Sequence, residues 1–276
     1  VDILDTQNLE KVFIENKIDA VIHFAGYKAV GESVSIPLTY YQNNIAGSLN
    51  LYELMLKYHV NNLVFSFRAT VYGGDFKSPL KAEYGHGVTT NPYGTTKLMN
   101  EMILKDYAIA NSDMSIVILR YFNPVGAHSS HLIGEKPNGT PNNLVPFVAQ
   151  VASGKRECVK VFGNNYKTID GTGVRDYIHV VDLALGHVKA IEYAINHQGV
   201  EIINLGTGKG YSVLEVIKAY EKASNVTIKY EIVDNRPGDI DTCFADTSKA
   251  KKLLNFEAKR DIYDMCKDSY EFEKNI

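Results

Sequence analysis

Ala20-Val21-Ile22-His23-Phe24 is a short apolar run that predicts a β-strand buried on both faces. Helical periodicity precedes this run over residues 8–17 and follows it over residues 38–58. The alternation continues with a predicted strand at 63–66, a helix at 93–111 and a strand at 115–121, and residues 1–4 resemble the end of an earlier strand. This order predicts an α/β fold, a doubly wound parallel sheet with helices on both faces.

The second half of the chain has a looser pattern. Gly, Pro and Asn concentrate between residues 134 and 143, and shorter mixed elements follow. We therefore expect two domains, with the parallel sheet in residues 1–123 and a smaller α+β substrate lobe in residues 124–276 that completes a cleft. Ligands of such sheets bind beyond the carboxyl ends of the strands, and polar side chains follow three of the predicted strands, at 24–28, 66–70 and 122–123.

Composition excludes several classes of function. A net charge of −3 and a pI near 6.3 provide no basic surface for nucleic acid or an anionic membrane, so we expect neither partner. No apolar run approaches the length of a membrane span. The three cysteines are widely separated, which fits neither a disulfide framework nor a metal site and indicates a reducing, cytoplasmic location.

Tyr93 and Lys97 lie four residues apart at the start of a predicted helix, so they share one face, one turn apart. An ammonium beside a phenol favours the phenolate and lowers a tyrosine pKa from its usual value of about 10. Tyr93 is therefore a candidate base that takes a proton from a substrate hydroxyl. The alternative is an amphipathic helix in which the two residues have this spacing by chance.

Several segments resemble UDP-glucose 4-epimerases of the extended short-chain dehydrogenase/reductase group, with the fungal members closest. The resemblance covers nearly the whole chain and, beside Tyr93 and Lys97, rests on His23-Phe24-Ala25-Gly26, Lys28-Ala29-Val30-Gly31-Glu32-Ser33, Ala69-Thr70-Val71-Tyr72-Gly73, Arg120-Tyr121-Phe122-Asn123-Pro124-Val125-Gly126-Ala127-His128, Pro141-Asn142-Asn143-Leu144 and Gly171-Thr172-Gly173-Val174-Arg175-Asp176-Tyr177-Ile178-His179.

The resemblance implies an isomerase of galactose metabolism that holds NAD and interconverts UDP-glucose and UDP-galactose through a 4-keto sugar. Tyr93 would take the proton of the sugar 4-hydroxyl, and Lys97 would assist Tyr93 and bind the nicotinamide ribose. The implied cofactor-binding residues are Asp2, Ile3, Phe24, Ala25, Gly26, Lys28, Asn43, Ser66, Tyr93, Lys97 and Phe122.

The resemblance also implies a UDP-sugar site in the second lobe, formed by Asn123, Asn143, Leu144, Phe162, Arg175, Arg236, Asp239 and Cys243. Arginine suits a diphosphate because its guanidinium binds two oxygens at once. The alternative for Arg175-Asp176 is a local surface ion pair. Cys243 occupies the family position that limits sugar size, so a small residue there predicts acceptance of N-acetylated sugars. The alternative is a cysteine buried as a small apolar residue.

Two adjacent positions depart from the family pattern. A hydroxyl residue normally precedes Ala-Thr-Val-Tyr-Gly and helps to pass the proton, whereas Arg68 stands there and Phe67 replaces a small residue beside it. Arginine cannot accept that proton, although its charge can favour the phenolate. Neither Ser66 nor Thr70 has the spacing to replace the missing hydroxyl.

The glycine-rich loop that receives the pyrophosphate in a Rossmann-like fold does not occur where such a fold places it. We therefore expect a fragment that lacks the first two βα units, on the order of 50 residues. The run Gly206-Thr207-Gly208-Lys209-Gly210 follows a predicted strand at 201–205, but we interpret it as a structural turn of the second lobe.

Other functions remain as alternatives. A nucleotide-sugar 4,6-dehydratase requires an Asp-Glu pair after the threonine, and Val71-Tyr72 follows Thr70 instead. A simple reductase does not explain the UDP-sugar segments. A catalytically impaired or inactive UDP-sugar-binding relative stays open because of Arg68 and the expected absence of the first two βα units. By the same resemblance, the helices at 38–58 and 93–111 would form a four-helix homodimer interface.

Overall fold

Residues 1–137, 139–236 and 238–276 are described by a computed structural model of the protein. The helices are α1 (Thr6–Glu15), α2 (Val30–Ser35), α3 (Pro37–Tyr41), α4 (Gly47–Lys57), α5 (Pro92–Ala110), α6 (Leu144–Ala152), α7 (Val180–Asn196), α8 (Val213–Ser224), α9 (Ser248–Leu254) and α10 (Ile262–Lys274). The strands are β1 (Val21–His23), β2 (Asn62–Arg68), β3 (Ser115–Tyr121), β4 (Asn123–Val125), β5 (Val159–Phe162), β6 (Val174–His179), β7 (Gly199–Leu205), β8 (Gly210–Ser212), β9 (Tyr230–Val233) and β10 (Thr242–Cys243).

The first sheet has the strand order β1-β2-β3-β7. Strands β1 and β2 are parallel, with His23 opposite Phe65. Residues 63–67 of β2 and 115–120 of β3 are all buried, as in a sheet that is covered on both faces. The predicted α/β class is confirmed by this alternation of buried strands and helices.

A second group of strands surrounds β6, in the order β10-β6-β4. Strands β4 and β10 are parallel to β6, and β8 is antiparallel to it. Separately, β5 and β9 form a parallel pair. Apolar residues of α6, α8 and α10 pack into the core of this region, with Val148, Tyr220 and Met265 fully buried.

The chain divides into two compact units. Unit 1 comprises Val1–Phe76, Ala82–Arg120 and His187–Ile203, and unit 2 comprises Lys77–Lys81, Tyr121–Gly186 and Asn204–Ile276. The predicted domain boundary after residue 123 lies near the junction of Arg120 and Tyr121. Both units also include segments from the other side of that boundary, so the division at a single position stays a prediction.

The structure corrects several of the expected elements. Residues 1–4 form no strand, because the Asp2 carboxylate caps a turn by accepting from the Leu4 amide. Strand β1 is only three residues long and is not buried on both faces, since Ile22 is 38% exposed. The helix expected at 38–58 is divided into α3, a π-helical segment at Gln42–Ala46 and α4. Strand β7, expected in the second lobe, joins the first sheet.

Candidate active site

Helix α5 begins in a way that places Tyr93 and Lys97 in the interior of unit 1. The Asn91 side chain caps the helix by accepting from the Gly94 amide at 2.9 Å, and Pro92 occupies the first turn, where its fixed φ suits a helix. Tyr93 is 3% exposed and Lys97 is 5% exposed. The Lys97 Nζ atom lies 6.0 Å from the centroid of the Tyr93 ring and 5.2 Å from that of Phe65.

Burial changes the protonation of two groups in this region. It lowers the pKa of Lys97 from 10.5 to about 8, because the low-dielectric surroundings penalise the ammonium. The pKa of His23 falls to about 3, first through burial and then through the charge of Lys97. His23 is therefore neutral near pH 7, whereas most Lys97 side chains still carry their proton.

The loop after β1 approaches Lys97 closely. A Cβ atom at Gly26 would lie only 3.2 Å from Lys97 Nζ and from Asn44 Oδ1, so a side chain at this position would press on both. Asn44 Oδ1 also accepts from the Tyr27 amide at 2.8 Å, and its Nδ2 donates to Thr96 Oγ1 at 3.1 Å. The Asn44 side chain thus joins the loop after β1 to helix α5.

The sequence did not reveal this buried polar network. The residue predicted at the site was Asn43, whose Nδ2 donates to Asn44 Oδ1 at 2.9 Å, while Asn44 itself is fully buried. The Asn44 backbone carbonyl lies in the π-helical segment and accepts from Ser48 Oγ and Asn100 Nδ2, at 2.7 and 2.8 Å. The available signal was a run of polar residues inside an otherwise apolar helix, and π-helical segments frequently occur at functional sites.

The end of β2 contains the residues that depart from the family pattern. Ser66 is buried, and its Oγ lies 2.6 Å from His187 Nε2, so its hydroxyl is engaged there. Phe67 is fully buried in the core, whereas Arg68 is partly exposed at the last position of the strand. Thr70 is exposed in the turn that follows, with Oγ1 at 3.4 Å from the Arg68 carbonyl oxygen.

The other predicted cofactor residues lie at several places in the fold. Phe24, Ala25 and Lys28 are exposed in the loop after β1. Asp2 is exposed and Ile3 is partly buried, while Phe122 is buried in unit 2.

A buried ion pair fixes helix α5 against strand β3. Arg120 Nη2 donates to both carboxylate oxygens of Glu101, at 2.7 and 2.8 Å, and Nε donates at 3.1 Å. The two side chains are 1% and 0% exposed, and the guanidinium carbon lies 4.7 Å from the centroid of the Tyr72 ring. Removing either member would leave a buried charge without its main partner.

In unit 2, Arg175 and Arg236 have different surroundings. Arg175 Nη1 donates to the carbonyl oxygens of Val174 and Ile240, and Nη2 lies 3.2 Å from Asp239 Oδ1. The Arg236 guanidinium carbon stacks 3.8 Å from the centroid of the Phe162 ring. A guanidinium has the forked geometry that suits phosphate oxygens, but Nη1 of Arg175 already donates to two backbone carbonyl groups, so its other N–H groups are those that suit such a ligand.

The remaining predicted substrate residues also lie in unit 2. Asn123 begins β4, and Asn143 precedes α6 with its Nδ2 donating to Glu135 Oε1 at 3.3 Å. Leu144 begins α6. Cys243 is half-buried in β10, directly opposite Arg175 on the neighbouring strand.

The local ion pair considered for Arg175 and Asp176 is not the arrangement that the structure has. Arg175 binds Asp239, whereas Asp176 is fully buried and accepts from the amides of Thr207 and Gly208, at 2.9 and 3.0 Å. The glycine-rich run at 206–210 is thus a turn that binds a carboxylate of the protein itself. This agrees with its interpretation as a structural turn.

Comparisons with known proteins agree with this geometry. The family model described as GDP-mannose 4,6 dehydratase matches residues 1–269. The chain is 58% identical over 274 residues to a UDP-glucose 4-epimerase of Bacillus subtilis, covering 99% of this chain and 80% of that protein. It is also 58% identical to the UDP-glucose 4-epimerase of Pasteurella multocida, covering 99% of this chain and 81% of the relative.

Solved structures give the same result. The UDP-glucose 4-epimerase of Stenotrophomonas maltophila, with bound NAD and formylated UDP-arabinopyranose, superposes with a TM-score of 0.97 at 48% identity, covering 100% of this chain and 82% of that one. The enzyme of Bifidobacterium longum in complex with NAD⁺ and UDP gives 0.94 at 55% identity, again over 100% and 82%. The Rossmann-like character of the fold is confirmed by these matches, and the chain belongs to the UDP-glucose 4-epimerases within the family that the GDP-mannose 4,6 dehydratase model describes.

Proposed function

We propose that this protein interconverts UDP-glucose and UDP-galactose in galactose metabolism, as an NAD-dependent isomerase that inverts the sugar at C4 through a 4-keto intermediate. The observation that carries the proposal is the buried Tyr93 and Lys97 pair on α5, in a chain 58% identical over nearly its whole length to a curated epimerase. A dehydratase or a simple reductase does not account for that identity.

Tyr93 is the base and acid of the proposed reaction. Its phenolate oxygen takes the proton of the sugar 4-hydroxyl and later returns a proton to the 4-oxygen. The Lys97 ammonium, 6.0 Å from the Tyr93 ring centroid, favours the phenolate through its positive charge. The surrounding burial strengthens this effect, because water does not screen the charge.

The residues around Lys97 fit NAD. Gly26 lacks the side chain that would fill the space beside Lys97 Nζ, so a ligand can approach the backbone there. Lys97 would donate to a ribose hydroxyl of NAD, and the exposed loop at 24–28 and Asn43 would supply further contacts. NAD, when bound, supplies reversible hydride acceptance at the sugar C4. The related structures that contain NAD support this assignment.

Unit 2 supplies the residues that we assign to the UDP group. Arg175 and Arg236 bind diphosphate oxygens, and Asp239 accepts from a hydroxyl of the nucleoside. The Phe162 ring, which already stacks with Arg236, offers an apolar surface for the base. Asn123, Asn143 and Leu144 complete the proposed set.

Because arginine occupies position 68, the competing hypothesis is that the protein binds UDP-sugars but is catalytically inactive. One experiment distinguishes this hypothesis from epimerase activity. Calorimetry with UDP-galactose measures binding, and a coupled assay of UDP-glucose formation measures turnover. We expect both signals. We also expect the Arg68→Ser variant to raise kcat about tenfold or more, because a hydroxyl can transfer the proton that arginine cannot. Binding without turnover in the unaltered protein would support the inactive relative instead.

The pH dependence of the reaction follows from the lowered pKa of Lys97. Below pH 8 its ammonium is present, and it is lost as the pH rises through about 8. We therefore expect kcat to fall above this pH. In the Lys97→Met variant kcat should be low throughout, and this particular fall should disappear. A profile of kcat from pH 6 to 10 checks the expectation, and an unchanged fall in the variant would contradict it.

Cys243 is proposed to determine the size of the accepted sugar, so the protein should also convert UDP-N-acetylglucosamine. A tyrosine at this half-buried position adds bulk beside Arg175. We expect the Cys243→Tyr variant to lose at least tenfold of its activity on the acetylated sugar relative to UDP-glucose. Relative kcat/KM values for the two sugars measure this, and Cys243→Ser is the size-matched control. An unchanged ratio in the tyrosine variant would count against the role.

We further propose that the protein is a homodimer. Helices α4 and α5 expose apolar side chains at regular helical intervals, and a second copy of the chain would bury them: Leu49, Leu56, Met99, Met102 and Ile109. Sedimentation at the monomer mass would contradict this proposal.

We propose a cytoplasmic location, since Cys158, Cys243 and Cys266 are thiols and not members of disulfides, and cell fractionation tests it. In the described residues, no helix is both long and apolar enough to cross a bilayer. The relatives named above come from bacteria, so the expected likeness to fungal members stays a prediction.

A further inference from the structure

The Asp176 carboxylate has an unusually complete set of hydrogen bonds for a group that the reaction does not use. Oδ1 accepts from the amide and the hydroxyl of Thr207, at 2.9 and 2.7 Å. Oδ2 accepts from the amides of Gly208 and Ala245, at 3.0 and 3.1 Å. Asp176 is 0% exposed, so these bonds replace the water that a carboxylate would otherwise need.

The turn after β7 is shaped around this carboxylate. A Cβ atom at Gly206 would lie 2.5 Å from Asp176 Oδ2 and 2.9 Å from the Ala245 Cβ, which is too close for any side chain. Gly208 has a φ of +74°, which aims its amide at the same oxygen. Successive amides that converge on one anion form a nest, and here the anion belongs to the protein.

The same carboxylate joins the two strands that flank Arg175. Arg175 lies opposite Tyr211 of the antiparallel β8 and opposite Cys243 of the parallel β10. The turn at 206–208 leads into β8, and Ala245 follows β10. Successive side chains of a strand point to opposite faces, so Asp176 holds the flanking strands from one face while Arg175 is presented on the other.

We propose that Asp176 is a positioning residue for UDP-sugar binding, which holds β8 and β10 in place around Arg175 and Cys243. This inference rests on the proposed function, because Arg175 must bind the diphosphate for its position to matter. The proposed proton transfer assigns no step to Asp176, whose carboxylate is fully engaged by Thr207, Gly208 and Ala245, so its loss should weaken ground-state binding and leave the chemical step largely unchanged. Such a change raises KM without lowering kcat.

The test compares the Asp176→Asn and Thr207→Val variants with the unaltered enzyme. In Asp176→Asn, the side-chain NH₂ group takes the place of a carboxylate oxygen that accepts from backbone amides such as those of Gly208 and Ala245. Two donors then face each other without an acceptor, so we expect the Kd of UDP in calorimetry to rise about tenfold. KM for UDP-galactose should rise with it, while kcat stays within about threefold. Thr207→Val removes the hydroxyl, which donates to Asp176 at 2.7 Å and accepts from the Lys209 amide at 3.2 Å, and leaves the carboxylate buried and bound by the amides of Thr207, Gly208 and Ala245. If Asp176→Asn does not fold, a rise in the Kd of UDP in Thr207→Val decides the question.

Asp182→Asn is the matched control. Asp182 is also buried in unit 2 and accepts from the amides of Lys259 and Arg260, at 3.0 and 2.8 Å, but it lies in α7. The Asp182→Asn variant should have a lower melting temperature and an unchanged Kd for UDP. Equal losses of UDP affinity in both aspartate variants, or no loss in Asp176→Asn and Thr207→Val, would overturn the inference. If the unaltered enzyme binds no UDP, the proposed function itself fails.

Discussion

Replacing Tyr93 by phenylalanine is expected to lower kcat for epimerisation by about 10²- to 10⁴-fold, because the variant has no group that can take the proton of the 4-hydroxyl. The phenyl ring keeps the volume of the side chain, which is 3% exposed in the interior of unit 1, so the fold should persist. UDP affinity should change little, since the arginines assigned to the diphosphate lie in unit 2. A coupled assay and calorimetry on the same preparation measure the two quantities.

Tyr107→Phe is the control for this experiment. Tyr107 lies on the same helix, and its hydroxyl donates to the Tyr52 carbonyl oxygen at 3.2 Å, away from Lys97. Its loss should leave kcat nearly unchanged. Tyr93→Phe with more than a tenth of the original kcat would mean that another group is the base, and the proposed mechanism would be wrong.

The second large effect concerns the stability of unit 1. Arg120→Met should reduce the free energy of unfolding by about 3 kcal/mol, because it leaves the Glu101 carboxylate buried without its bidentate partner. Lys105 Nζ, at 2.9 Å from Glu101 Oε1, retains one contact and limits the loss. Urea denaturation followed by circular dichroism measures the change.

Lys189→Met provides the comparison for Arg120→Met. Lys189 pairs with Glu192 on the surface, where the side chains are 45% and 55% exposed, so its loss should cost under about 1 kcal/mol. The double variant Arg120→Met with Glu101→Leu removes both charges and should regain much of the lost stability. If the single Arg120→Met change costs no more than the surface change, the buried pair does not stabilise the unit.

Several of the elements that carry the proposed site could be predicted from the chain itself. Strand β3 has the predicted bounds, and α5 begins within one residue of the expected position, since periodic apolar residues and the Asn91-Pro92 start are local signals. The spacing of Tyr93 and Lys97 likewise led directly to the buried pair, because four residues on a helix form one turn. The sequence predicts β7 as a strand but not as a neighbour of β3, because pairing partners depend on the path of the whole chain.

The amino-acid sequence by itself determined the order of helices and strands, the Tyr–Lys pair and the family, since each depends on residues near one another in the chain or on long matching segments. Only the tertiary structure decided that Glu101 pairs with Arg120, that Asp176 is held by the turn at 207–208 and that Lys97 has a lowered pKa. The physical reason is that burial and long-range hydrogen bonds arise between residues distant in sequence. Local patterns contain no information about which of those residues meet.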